Sequence, residues 1–143
     1  MTDEQGLVKT VIEVLHDGNR GYADIGEHLE DPQVKSFFLK EAQTRGEFAR
    51  ELEAAAGFGS DVGGTASGAV HRTWGDLKAK LGGGDHTLLE TAEQGEDAAK
   101  KAYQAALEGN TVSGPVRQLL EKQQLHIKSS HDQVKGFRDS RAS

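Results

Sequence analysis

Several charged or titratable side chains interrupt rows of apolar residues. In the row Val34, Phe38, Glu41, Arg45, Phe48, Leu52, a carboxylate and a guanidinium sit between aromatics. The row Leu89, Ala92, Glu96, Ala99, Tyr103 carries Glu96, with Glu93 one turn earlier. Leu120, Ile127 and Val134 flank His131, and Leu119, Gln123 and Ser130 flank His126. Burying a carboxylate without a partner costs several kcal/mol, so these groups need one another, protons or a metal. Two chemistries fit. Carboxylates and imidazole inside a helical bundle suit iron, manganese or zinc, and the metal set is then Glu27, Glu41, Glu96 and His131. The alternative is an internal ion network with Arg45 and His131 as its cations. Arg45 follows Glu41 by four residues and reaches it on one helical face. Arg45 also counts against a metal, because a cation inside a metal cage is unfavourable.

The elements that must position these residues follow from period and caps. Leu7, Val11, Val14, Gly18, Tyr22, Ile25 and Leu29 recur at spacings of three and four, opposite Lys9, Glu13, Asp17, Arg20 and Asp24. This predicts a helix α1 over 3–30, opened by the capping box Thr2-x-x-Gln5. Gly18 and Gly21 lie near its stripe, which implies a close neighbour or a locally weak helix. Asp31-Pro32 supplies an N-cap and a first helical residue for α2 over 33–56, which stops near Gly57. A third helix, α3 over 86–108, starts at Asp85 or at Thr87-x-x-Glu90 and ends before Gly109-Asn110. Ser113-Gly114-Pro115 opens α4 over 114–138. Nine of the 18 glycines fall between Gly57 and Gly84. That crossover, 58–84, joins hairpin 1–57 to hairpin 85–143 and holds one amphipathic piece over 66–80 with Val70, Trp74 and Leu77.

A helix of about 25 residues is about 37 Å long, and an extended chain covers that in about 11 residues. The crossover is long enough to run from end to end, so α2 and α3 are expected to be parallel. A single long crossover is the connection of ferritin-like bundles. With the chain so arranged, Glu41 lies about nine residues into α2, Glu96 about ten into α3 and His131 about eight from the end of α4, with Glu27 nearer the rim. Glu27, Glu41, Arg45, Glu96 and His131 are therefore expected in or at the mouth of one polar pocket near the α1–α2 end.

Composition bounds the function. The 143 residues suit one domain, and the absence of Cys removes disulfides, thiolate metal sites and thiol nucleophiles. A net charge of −6 argues against nucleic acid as a partner. No apolar run approaches the ~20 residues of a membrane span, and the acidic N-terminus lacks a secretory apolar region. The expectation is a cytoplasmic protein without nucleic-acid or membrane partners. Self-association or a protein partner stays open. Basic residues crowd the second half of α4 (Lys122, Lys128, Lys135, Arg138, Arg141), which suits the helix dipole. Trp74, beside His71-Arg72, is expected to pack the crossover onto the bundle, and Tyr22 and Tyr103 to be core aromatics with hydroxyl partners.

The chain resembles a family of small ferritin-like bacterial proteins, a four-helix-bundle domain of unknown function. The resemblance spans nearly the whole chain. It is carried by Asp17-Gly18, Gly21-Tyr22, Glu27-His28, Arg45-Gly46-Glu47-Phe48 and Glu51-Leu52. It continues in His71-Arg72-Thr73-Trp74, Gly95-Glu96-Asp97, Tyr103 and His131-Asp132. It implies the ferritin-like fold and supplies no established activity. Di-iron members of the wider superfamily use Glu-x-x-His on two helices. Here Thr44 follows Glu41 by three, Ala99 follows Glu96 by three, and Lys128 precedes His131 by three. The one Glu-x-x-His, Glu13-Val14-Leu15-His16, falls on the polar face of α1. The functional expectation is a non-enzymatic binding or stress-related protein whose buried cluster is open to iron or manganese. The alternatives are a degenerate ferritin-like metalloenzyme and a protein-interaction module.

Overall fold

Asp31 fixes the first turn. Its side chain accepts hydrogen bonds from the Gln33 and Val34 amides at 2.9 and 3.2 Å, and Pro32 follows as the first helical residue. At the far end of that helix Gly57 takes φ +78°, a left-handed cap that a side chain would strain. The computed structural model describes residues 4–57 and 80–140. Among the described residues there are four α-helices and no strand: α1 (Glu4–His28), α2 (Pro32–Ala56), α3 (Gly84–Leu107) and α4 (Gly114–Ser140). The protein is an all-α four-helix bundle. The helix ends lie within two residues of those expected from the sequence. The Thr2 cap and the amphipathic piece around Trp74 lie outside the described residues.

Three contacts give the direction of each helix. The Asp85 carboxylate accepts from the Glu30 and Asp31 amides at 2.8 and 3.0 Å, so α3 begins at the α1–α2 turn. Phe37 meets Phe137 edge-on at 5.3 Å, so α4 ends there too. At the opposite end the Ser113 amide approaches the Glu4 carboxylate at 3.5 Å. Hence α2 and α3 start at the same end and run parallel, as the crossover length implies. The end of α2 and the start of α3 lie at opposite ends of the bundle. In section, α1 contacts α2 and α3, and α4 contacts α3 and α2.

Two apolar clusters fill the interior. One, at the end where α1 begins, contains Val8, Ile12, Leu15, Leu52, Tyr103 and Leu120. The other, at the α1–α2 turn, contains Tyr22, Ile25, Phe38, Leu88, Leu89 and Val134. Half of the buried residues of α3 are alanine or glycine: Ala92, Gly95, Ala99, Ala102 and Ala106.

The α3–α4 turn is pinned by one side chain. Arg117 donates to the carbonyls of Leu107, Gly109 and Val112 at 3.0, 3.0 and 3.1 Å, satisfying oxygens that the end of α3 leaves unpaired. Arg117→Ala is therefore expected to cost about 1–2 kcal/mol in urea denaturation, since part of the guanidinium stays in solvent. A loss under about 0.5 kcal/mol would mean that water replaces these bonds without penalty.

Candidate functional site

Among the described residues Arg45 is the largest fully buried side chain, with 1% of its surface exposed. It sits midway along α2, between the two apolar clusters. Gly18 on α1 leaves room for it: a Cβ at that position would already touch Arg45 Cγ at 3.5 Å. The glycine thus marks a close neighbour, one of the two meanings open from the sequence. Buried away from the surface, the guanidinium finds its partners inside. Nε donates to Glu41 Oε2 at 2.6 Å, one helical turn away. Nη2 donates to Glu96 Oε1, to Ser130 Oγ at 3.3 Å and to the Tyr22 hydroxyl at 3.5 Å. The guanidinium carbon also lies 4.8 Å from the Tyr22 ring centre, over its face. All four helices thus contribute to one buried polar layer.

Glu41 and Glu96 differ in what surrounds them. Glu41 receives His126 Nε2 at 2.9 and 3.1 Å from its two oxygens, in addition to Arg45. Burial opposes its ionisation, but the His126 hydrogen bond and the Arg45 charge outweigh burial and hold its carboxyl below the usual range. Glu96 is wholly buried, and its Oε2 accepts no hydrogen bond among the described residues. Burial pushes its carboxyl up to about 8. The Ser130 hydrogen bond and Lys100 act against that shift, and the charge of Asp97 adds to it. The charges then balance: one guanidinium faces one ionised carboxylate, and the second carboxyl keeps its proton.

A second polar layer lies toward the α3–α4 turn. The Tyr103 hydroxyl donates to Gln123 Oε1 at 2.7 Å. Gln123 Nε2 in turn donates to Glu51 Oε1 at 3.2 Å and to the Phe48 carbonyl at 3.3 Å. Burial drives the Tyr103 phenol far above its ordinary value, against the Arg45 charge, so this hydroxyl keeps its proton and serves as a donor.

Of the residues singled out from the sequence, the structure brings together Glu41, Arg45 and Glu96. It leaves out Glu27 and His131. Glu27 is exposed, because Ile25, Gly26 and Leu29 hold the inner face of α1 at that level. His131 lies one residue, about 100° of helix, beyond the inward-facing Ser130. It pairs at the α3–α4 seam with Asp97 at 3.1 Å instead. Glu93 meets Arg138 of α4 and stays outside the cluster. Two residues assigned to the polar face of α1 also differ. Asp17 is buried, and His16 turns toward Glu53 of α2 at 3.3 Å. The residue that sequence reasoning passed over is His126. Its row in the sequence, with Gln123 and Ser130, is polar and marks no inner face, yet the structure buries both of those neighbours.

A family model matches residues 7–109. The chain belongs to the family described as a domain of unknown function, DUF2383. The match takes in nearly all of α1 and the whole of α2 and α3, with Tyr22, Glu41, Arg45 and Glu96. His126 and Ser130 on α4 lie beyond the matched span of DUF2383. No curated protein matches the chain.

Proposed function

We propose that this chain is a ferritin-like bundle without turnover, a binding or stress-related protein whose central cluster is a permanent ion network. The observation that supports this reading is the position of Arg45 between Glu41 and Glu96. In carboxylate bundles that hold metals, glutamates from different helices converge on the cations. Here a guanidinium occupies the equivalent place and supplies both the positive charge and the directed donors. A metal held by Glu41 and Glu96 would have to displace Arg45, so the donor set does not fit iron or manganese. Among the described residues, no three His, Asp or Glu side chains are grouped to hold a metal ion.

The reading is tested by linkage. A metal that binds only the folded state raises the melting temperature with its concentration. Chelator-treated protein titrated with ferrous iron, manganese or zinc is expected to melt at an unchanged temperature. A saturable rise that Glu96→Ala abolishes would overturn the network and restore a metal centre. Metal content of untagged protein, purified without chelator, provides the independent check.

A further inference from the structure

The geometry points to His126 as a phosphoryl-acceptor histidine, taking its phosphoryl group from an acyl phosphate. The imidazole is held by Glu41 at one nitrogen and by Phe48 against its ring, while the other nitrogen is left available. Nε2 faces both oxygens of Glu41, a carboxylate that accepts but does not donate, so Nε2 carries the ring proton. Glu41 is itself only 4% exposed and is fixed by Arg45. The Phe48 ring meets the imidazole edge-on at 5.2 Å and sets its plane. The side chain is 40% exposed, and Nδ1 has no hydrogen bond among the described residues. In the tautomer with its proton on Nε2, the ring presents the Nδ1 lone pair as its nucleophilic end.

This is the arrangement that activates a nucleophile through a buried orienting group. Attack by Nδ1 on the phosphorus of an acyl phosphate forms a nitrogen–phosphorus bond. The phosphorus–oxygen bond to the acyl group breaks, and its electron pair leaves with the carboxylate product. The ring becomes a phosphoimidazolium, with its positive charge spread toward Nε2–H. Glu41 lies against that hydrogen and offsets the charge as it develops. Lys122 is exposed one turn earlier on α4, and its ammonium forms no ion pair among the described residues. It supplies a cation beside the incoming phosphoryl group.

The test uses the intact protein with acetyl phosphate and magnesium, read by phosphate-affinity gel and phosphorus NMR. The expected product is one acid-labile, base-stable phosphate per chain that is absent from His126→Asn and retained in His131→Asn. Glu41→Gln keeps a hydrogen-bond acceptor and removes the charge, so it is expected to slow labelling about tenfold. Circular dichroism and melting confirm that each variant is folded. No label on folded wild-type protein, an acid-stable label, or one that survives His126→Asn would overturn the assignment. An unchanged rate in folded Glu41→Gln would remove Glu41 from the chemistry and with it the reason for choosing His126.

Discussion

Arg45→Ala is expected to lower the free energy of unfolding by about 3–5 kcal/mol at neutral pH, the range for removing one partner from a buried ion pair. Three costs combine. Glu41 and Glu96 lose their shared cation, Ser130 and Tyr22 lose a donor, and a side-chain-sized void opens between two apolar clusters. Most of the loss is electrostatic and falls on Glu41, so it should shrink as acid protonates the carboxyl that has lost its guanidinium. Arg45→Met separates the effects, because it refills much of the volume without the charge. The combined variant Arg45→Met, Glu41→Gln, Glu96→Gln should recover a large part of the stability, since no uncompensated charge then remains buried. Equilibrium urea denaturation at pH 5 and pH 7 measures all of these. A change for Arg45→Ala within the ~0.5 kcal/mol of surface substitutions would contradict its central place.

How far the sequence reveals this layout depends on whether the deciding physics is local. The α1–α2 turn is legible because the Asp31 carboxylate bonds amides two and three residues away. The start of α3 is also legible, within one residue of Asp85, but the partner of Asp85 is not: its carboxylate serves amides of Glu30 and Asp31, while α3 begins at Gly84 with no side-chain cap. Nothing near Asp85 in the chain announces that partner. The parallel course of α2 and α3 is legible from length alone, because chain reach is a local property summed.

The site divides in the same way. Glu41, Arg45 and Glu96 announce themselves because charges interrupt strongly apolar rows, whose phase around the helix is well marked. Helix α1 has no such clarity. Gly18, Gly21 and Gly26 all face inward without an apolar side chain to mark the stripe. The expected stripe holds at Val11, Gly18, Tyr22, Ile25 and Leu29, but Leu7 and Val14 are only half-buried, and Val8, Ile12, Leu15 and Asp17 widen the buried face beside it. On α4 the choice between two histidines turned on a rotation of about 140°. The row through Gln123, His126 and Ser130 is polar throughout, and polar rows are read as solvent-facing unless a partner is known. Here the partners, Glu41, Arg45 and Glu96, stand on other helices.

The last prediction is the pH dependence that Glu96 imposes. Its carboxyl is raised from an ordinary 4.5 to about 8 in the fold. Between those values the unfolded chain has lost the proton and the folded chain retains it. The slope of stability against pH follows the protons bound in the unfolded state minus those bound in the folded state, which is negative here. Stability should therefore fall as pH rises from about 4.5 and level off above about 8. Glu41 has the opposite sign. Its carboxyl is held below the usual range, so its contribution is present at neutral pH and is lost as acid protonates it in the fold. Glu96→Gln copies the protonated carboxyl in shape, and its amide can still accept from Arg45. It should abolish the decline between pH 4.5 and 8 while leaving the loss in stronger acid intact. The variant is thus expected to gain on the wild type as pH rises, and its advantage should stop growing near pH 8. Urea midpoints at pH 5, 6.5, 8 and 9 measure the difference, and carbon NMR of the Glu96 carboxyl measures the titration itself. Parallel stability curves for the two proteins, or a carboxyl that titrates near 4.5 in the folded protein, would show that Arg45 holds both glutamates ionised and that the buried layer carries a net negative charge.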